Sequence, residues 1–272
     1  ARYRKGFSPL LPGVVHIPFP NPFRPPLGAR REEVGERVLE YLDHLFRTTL
    51  PPEEVGAIFL EPIQGEGGYV LPPRGFWPEL WRMARRHGIL LVADEVQTGA
   101  GRTGRFFALE HEDLEADIYI LAKGLASGYP LSAVLFREEI ASWPPGAHGS
   151  TFGGQAVSAA AACATLDLLE SGLMENAAGV GAFLLEELKG MQARFPFLGD
   201  VRGRGLMIGL DFGSPEEERP DLRDKAVALA FQKGLLTLPA GPSTLRIAPP
   251  LILTKEEAGI GLSILEEVFK AL

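Results

Sequence analysis

The sequence predicts an α/β fold: a mostly parallel sheet with one antiparallel strand, followed by a smaller α+β C-terminal domain. Three observations carry this. Between residues 57 and 123, short, uniformly apolar runs alternate with helical periodicity, as the strands of a covered parallel sheet do. The chain's 272 residues, 46% of them hydrophobic, suffice for two domains. Near Ser171 the pattern changes to amphipathic helices interleaved with short strands, which divides the chain into residues 1–170 and 171–272.

The elements follow in order. "HIPFPNPFRPPLG" (His16–Gly28) reads as proline-rich irregular chain, and without an initial Met a further segment is expected before residue 1. "AIFLEP" is a first apolar run. Trp77, Leu80, Trp81 and Ala84 then recur at helical spacing, and Gly88 can end that helix. "ILLVADEV" and "IYILAK" are the second and third runs. Only seven residues separate Lys123 from "LSAVLF", too few for a parallel crossover, so this fourth strand should run antiparallel. "GQAVSAAAACATLDLLE" is an Ala-rich helix that places Cys163 in the core. Val180, Phe183, Leu184 and Leu188 mark an amphipathic helix, "GLMIGLDF" a strand, and Asp221–Lys233 a helix ended by Gly234. "LLTLPA" and "TLRIAPP" are short strands. Ile260, Ile264, Leu265 and Val268 form the apolar face of a last helix.

Composition narrows the function. A net charge of −8 argues against a general nucleic-acid or membrane-surface binder. No apolar run reaches membrane-spanning length, and "ARYRKGFSPL" is not a signal peptide. Cys163 is the single cysteine, which excludes an internal disulfide and fits a cytoplasmic setting. His16, His44, His87, His111 and His148 show no metal-ligand spacing, so no metal is expected.

Chemistry concentrates at strand ends. In open α/β sheets, ligands bind beyond the carboxyl ends of the strands. Glu61 and Glu66 follow the first run, Asp94 and Glu95 end the second, and Lys123 ends the third. Each alone also reads as a solvated strand end. Together they deliver an amine and carboxylates to one sheet edge. "LLVADEVQTGAGRTG" (90–104) contains G-x-G-x-x-G, but four residues separate Asp94 from Gly99 and no acid follows at dinucleotide-site spacing. A phosphate-binding loop with G-x-x-x-x-G-K-[ST] is absent.

The motifs "FLEPIQGEGGYVLPP", "LLVADEVQTGAGRTGRFFALEH", "ILAKGLASGYPLSAV", "HGSTFGGQAVSAAAA", "RGRGLMIGL" and "LRIAPPL" together resemble the class III (ω-amino) aminotransferases, most closely the 4-aminobutyrate aminotransferase subgroup. The likeness covers almost the whole chain. It implies a fold-type I enzyme dependent on pyridoxal 5′-phosphate, with residues 1–170 as the C-terminal part of the large cofactor-binding domain. It makes Lys123 the Schiff-base lysine, which also moves a proton. It pairs Asp94 with the pyridinium nitrogen, packs Val96 on the ring face and sets Gln97 against the phenolic oxygen. Glu95, on the other face of the strand, is structural. Arg246 would bind a substrate α-carboxylate, and Glu66 would neutralise it when the ω-amine is present. Thr151 would reach the cofactor phosphate of a neighbouring subunit in a homodimer; it also reads as a plain helix N-cap. The implied reaction moves an amino group from an ω-amine, first among them 4-aminobutyrate, to 2-oxoglutarate. An amino-acid racemase or epimerase on the same scaffold is the alternative. The family's N-terminal portion has no counterpart in residues 1–272, which leaves a truncated, non-catalytic chain as a third reading.

Overall fold

The computed structural model describes residues 4–272. Its first helix, α1 (Val34–Thr48), repeats Val34, Val38, Leu42 and Phe46 at four-residue spacing and buries all four. It lies outside the elements expected from the sequence, although its spacing is legible there. It packs on α2 (Phe76–Arg86), whose buried face is Phe76, Trp77, Leu80, Met83 and Ala84. The α2 helix ends where Gly88 adopts φ 68° and the His87 and Ile89 N–H groups both donate to Ala84 O.

The first sheet has the order β1 (Ala57–Leu60), β2 (Leu90–Asp94), β3 (Ile118–Leu121), β4 (Ala133–Phe136). β1, β2 and β3 are parallel, and β4 is antiparallel to β3, as the short connection requires. Leu60, Leu91 and Ala93 share a core with α1 and α2. The expectation of a sheet covered on both faces is corrected at its edges. Phe59 on β1 and Val134, Leu135 and Phe136 on β4 are exposed, because α1 and α2 serve one face.

After β4 the chain forms α3 (Ala156–Leu168), a turn at Leu169–Leu173, and α4 (Met174–Arg194). Gly172, with φ 125°, breaks the axis between them. Ala156–Arg194 is nevertheless long and apolar enough, by length and composition, to cross a membrane. That corrects the expectation of no such run. Here Ala177, Val180, Leu184, Leu188 and Met191 of α4 lie in the core beneath the second sheet. Cys163 is exposed rather than buried. α3 is alanine-rich all round, so periodicity could not choose its inward face; Ser158, Ala162 and Thr165 are the residues that turn inward.

The second sheet is antiparallel, in the order β5 (Leu198–Arg204), β6 (Met207–Phe212), β8 (Thr244–Ile247), β7 (Leu238–Ala240). β5 was not foreseen, because Gly199, Gly203 and charged residues interrupt its apolar pattern. Helices α4, α5 (Pro220–Gln232) and α6 (Lys255–Lys270) pack against it. A capping box starts α6: Thr254 and Glu257 satisfy each other's backbone N–H groups. Central strand β6 is buried at every position. Ile208, Leu210 and Phe212 face the helices, while Met207 packs with Ile63 and Tyr69 of the segment after β1.

Candidate active site

The carboxyl ends of β1, β2 and β3 converge on one edge of the first sheet. At the end of β2, Asp94 is half-buried and its Oδ1 accepts the Val96 N–H at 3.1 Å. The next residue, Glu95, is buried and accepts hydrogen bonds from Thr98 Oγ1 and, at 3.1 Å, the Leu109 N–H. Burial pushes its carboxyl up against these bonds. Glu95 is therefore spent on the loop that follows β2, as its place on the opposite face suggested.

Lys123 opens a tight 3₁₀ turn, Lys123–Ala126, directly after β3. Its φ is +45°, in the left-handed region that costs a residue with a Cβ about 1 kcal/mol or more. Tyr69, Ala100 and Ser127 are also left-handed, and all four line one cleft of about 670 Å³. Such strain persists only where the surroundings over-determine it, and it concentrates at functional sites. Tyr69, Ala100 and Ser127 carried no signal in the sequence, because strain of this kind is a property of the folded backbone.

The same cleft is lined by Glu66, Val96, Gln97 and Arg246. Arg246 Nη1 donates to Glu66 Oε1 at 2.5 Å, and Gln97 Nε2 donates to that oxygen at 3.3 Å. The Arg246 guanidinium also lies 6.0 Å from the centre of the Tyr69 ring. Glu61, named from sequence without a role, belongs to the same group. Burial raises its carboxyl above the usual range, the Gly65 N–H opposes this at 3.3 Å, and nearby Asp94 adds to the rise. Five of the seven sequence-derived site residues thus share one cleft. Asp94 borders it without lining it. Thr151 stands apart, exposed in the turn before α3. It is not the cap of that helix; the Gln155 side chain is, accepting the Ser158 N–H at 2.8 Å.

Glycines make these approaches possible. A Cβ on Gly65 would stand 2.7 Å from Gln97 Nε2, and one on Gly99 would stand 2.8 Å from Glu95 O. The run after Gly99 ties the sheets together. Arg102 donates to Leu206 O at 3.2 Å and Pro249 O at 2.5 Å, and its own carbonyl accepts the Leu206 N–H. "GAGRTG" is therefore a connection and not a nucleotide loop. Gln97 Oε1 is buried and has no hydrogen-bond partner among the described residues. A polar group bound in the cleft is its natural partner.

A strained lysine at a strand end, beside a strand-end carboxylate and an unsatisfied amide, on this α/β sheet, is the arrangement of a fold-type I pyridoxal-phosphate enzyme. The residue types fit that cofactor: an amine on Lys123, an amide on Gln97 and an apolar wall on Val96 line the cleft, and the Asp94 carboxylate borders it.

The chain belongs to the class-III aminotransferases, whose family model matches residues 1–269. It is 44% identical to the alanine/serine racemase of Pyrococcus horikoshii, over 98% of this chain and 58% of that protein. It is 37% identical to a probable 4-aminobutyrate aminotransferase of Bacillus subtilis, over 99% of this chain and 63% of that protein. Among solved structures, an amine transaminase from an uncultivated Pseudomonas species, in its pyridoxal-phosphate-bound form, superposes with a TM-score of 0.92 at 36% identity. That match covers 99% of this chain and 64% of the other. The chain thus spans about three fifths of the length of these relatives.

Proposed function

We propose that this chain forms the catalytic lysine-bearing part of a pyridoxal-phosphate-dependent aminotransferase. It moves an amino group from an ω-amine donor, 4-aminobutyrate first among them, to 2-oxoglutarate. The observation that carries the reading is the Arg246–Glu66 pair in the same cleft as Lys123. An enzyme that alternates between an amine without an α-carboxylate and a dicarboxylic 2-oxo acid needs a cation that can be neutralised or released. A carboxylate held on that cation by one short bond supplies this.

Bound pyridoxal phosphate supplies an electron sink for the carbon that carries the amine. The chain's own residues do the rest. Lys123 Nζ would hold the cofactor covalently, and its amine would take the proton from the substrate carbon. Asp94 keeps the ring nitrogen protonated. Gln97 orients the ring through its phenolic oxygen, and Val96 walls one face. Arg246 receives the α-carboxylate when Glu66 releases it. Thr151 serves the cofactor phosphate of a partner copy, which makes the enzyme a homodimer, in the cytoplasm. The division of the chain near Ser171 into a large and a small domain is part of the same reading.

An amino-acid racemase or epimerase is the second reading. It is favoured by the likeness to the P. horikoshii alanine/serine racemase. There the α-carbon loses its proton on one face and would be reprotonated on the opposite face, and no second substrate is required.

The test is borohydride reduction of the purified full-length protein, peptide mapping, and a panel of amine donors with 2-oxoglutarate. One trapped pyridoxal phosphate on the Lys123 peptide, with oxo-acid-dependent turnover of an ω-amine, is the expected result. Loss of optical rotation from a single amino acid without any oxo acid selects the racemase. No trapped cofactor overturns both.

A further inference from the structure

Arg202, Gly209 and Arg246 stand in one row across three neighbouring strands. Arg202 on β5 pairs with Gly209 on β6, and Gly209 pairs with Arg246 on β8. The turn that carries Glu66, residues 65–69, lies over the gap that Gly209 leaves. A Cβ on Gly209 would stand 2.9 Å from Tyr69 Cβ and 3.3 Å from Gly68 O. On one side of the gap Arg246 holds the Glu66 carboxylate. On the other, Arg202 holds the backbone: Nε donates to Tyr69 O at 2.9 Å and Nη2 to Gly68 O at 2.5 Å. The Gly241 N–H, from the β7–β8 turn, donates to Glu66 O at 2.8 Å.

Arg202 is itself held in place. Its guanidinium bonds Asp200 at 2.8 Å and Asp211 Oδ2 at 3.0 Å. The other Asp211 oxygen accepts from Arg24 and Ser243, each at 2.8 Å. The side chains of Arg202 and Asp211 are 10% and 5% exposed, too enclosed to be a solvated surface pair. A planar fork that reaches two carbonyls and two carboxylates at once cannot be replaced by an ammonium.

From this we infer that Arg202 is a positioning residue for the Glu66–Arg246 pair. It clamps the 65–69 turn to the second sheet, so that the Glu66 carboxylate meets Arg246 on that sheet. The turn follows β1 in sequence but is registered on β5, β6 and β8. Substrate discrimination by Glu66 therefore depends on a residue outside the cleft. This inference rests on the aminotransferase reading for its kinetic consequence, but its geometric claim stands apart from it.

The experiment uses the full-length holoenzyme with Arg202→Lys, Gly209→Ala, Glu66→Gln and the double variant Arg202→Lys/Glu66→Gln. Gly209→Ala displaces the turn without removing any polar group, and so covers a failure of Arg202→Lys to fold. Single-turnover rates are measured separately for an ω-amine and for an α-amino acid. Backbone hydrogen exchange is followed in the peptide spanning residues 64–70, where the Gly68 and Tyr69 N–H groups bond Gly65 O.

Arg202→Lys and Gly209→Ala should each lower the ω-amine half-reaction about tenfold, while the α-amino-acid half-reaction stays within about threefold. Exchange in the 64–70 peptide should quicken in both. In the Glu66→Gln background, Arg202→Lys should add no further selective loss, because the two act through one carboxylate. Parallel loss of both half-reactions, or an undiminished effect in the Glu66→Gln background, overturns the inference. So does unchanged exchange in that peptide. If the wild type turns over no ω-amine, the aminotransferase reading falls, and the exchange result alone decides whether Arg202 holds the turn.

Discussion

At the scale of single residues, the cleft assigns different failures to Lys123 and Arg246. Lys123 is the proposed covalent anchor. Lys123→Ala should abolish the borohydride-trapped adduct and lower turnover by about a thousandfold, in line with the loss of a nucleophile and proton carrier. Mass mapping and steady-state kinetics check both. Arg246 is the proposed binding group. Arg246→Gln should raise the KM for 2-oxoglutarate about tenfold or more while changing the ω-amine half-reaction far less, because a charge-assisted bond to the α-carboxylate is lost. A uniform fall in both halves would place Arg246 outside substrate recognition. These two residues, with Val96, Gln97 and Glu66, were legible because strand ends and a family likeness point to them. Tyr69, Ala100 and Ser127 were not, because left-handed backbone at a non-glycine residue leaves no mark in the sequence.

At the scale of elements, a buried carboxyl and a half-buried imidazole make the structure sensitive to acid. Burial alone would raise the Asp211 carboxyl, but Arg202, with hydrogen bonds from Arg24 and Ser243, brings it below the ordinary value. A carboxylate depressed on folding stabilises above its unfolded pKa, and that stability is lost as the pH falls through the folded pKa. Asp211→Asn should therefore cost about 3 kcal/mol at neutral pH, since two arginines lose their buried partner. It should also flatten the stability profile below about pH 4, the unfolded value. Urea titrations across pH measure both. His111 acts in the same direction by another route. Its ring contacts Thr103 O and Oγ1, each at 3.1 Å. Burial, helped by Arg204, lowers its pKa to about 4. The unfolded chain then takes up a proton that the folded chain refuses, so stability falls as the pH drops from about 6.5 toward 4. His111→Gln should remove that slope. An unchanged thermal midpoint profile between pH 7 and pH 5 would show that His111 does not carry it.

At the scale of the whole molecule, the two sheets meet along a seam made by missing side chains. A Cβ on Gly181 of α4 would stand 2.2 Å from Gly205 O, and one on Gly205 would stand 2.4 Å from the Thr103 carbonyl carbon. One on Gly104 would stand 2.8 Å from Ala178 Cβ. The β5–β6 turn, the glycine run after β2 and α4 therefore approach backbone to backbone. Gly181→Ala should lower stability by about 1–3 kcal/mol through overpacking, although alanine is the better helix former. A rise in the denaturation midpoint would mean the seam is loose. Because Arg102 crosses the same seam to Leu206 O and Pro249 O, the loosened variant should also show weaker hydrogen-exchange protection at the β5–β6 turn.

The sequence by itself determined the parallel β1–β3 order of elements, the reversal at β4, the polar residues gathered at the strand ends and the family. These follow from local periodicity, from connection length and from motifs within single segments. It missed β5, whose glycines and charges break the apolar alternation, and it misjudged Cys163, on a helix too uniformly alanine-rich to favour one face. Only the tertiary structure decided that the turn carrying Glu66 belongs with β5, β6 and β8. Pairing across antiparallel strands sets Arg202, Gly209 and Arg246 in one row. That register joins residues far apart in the chain, and a one-residue slip would turn every side chain to the opposite face.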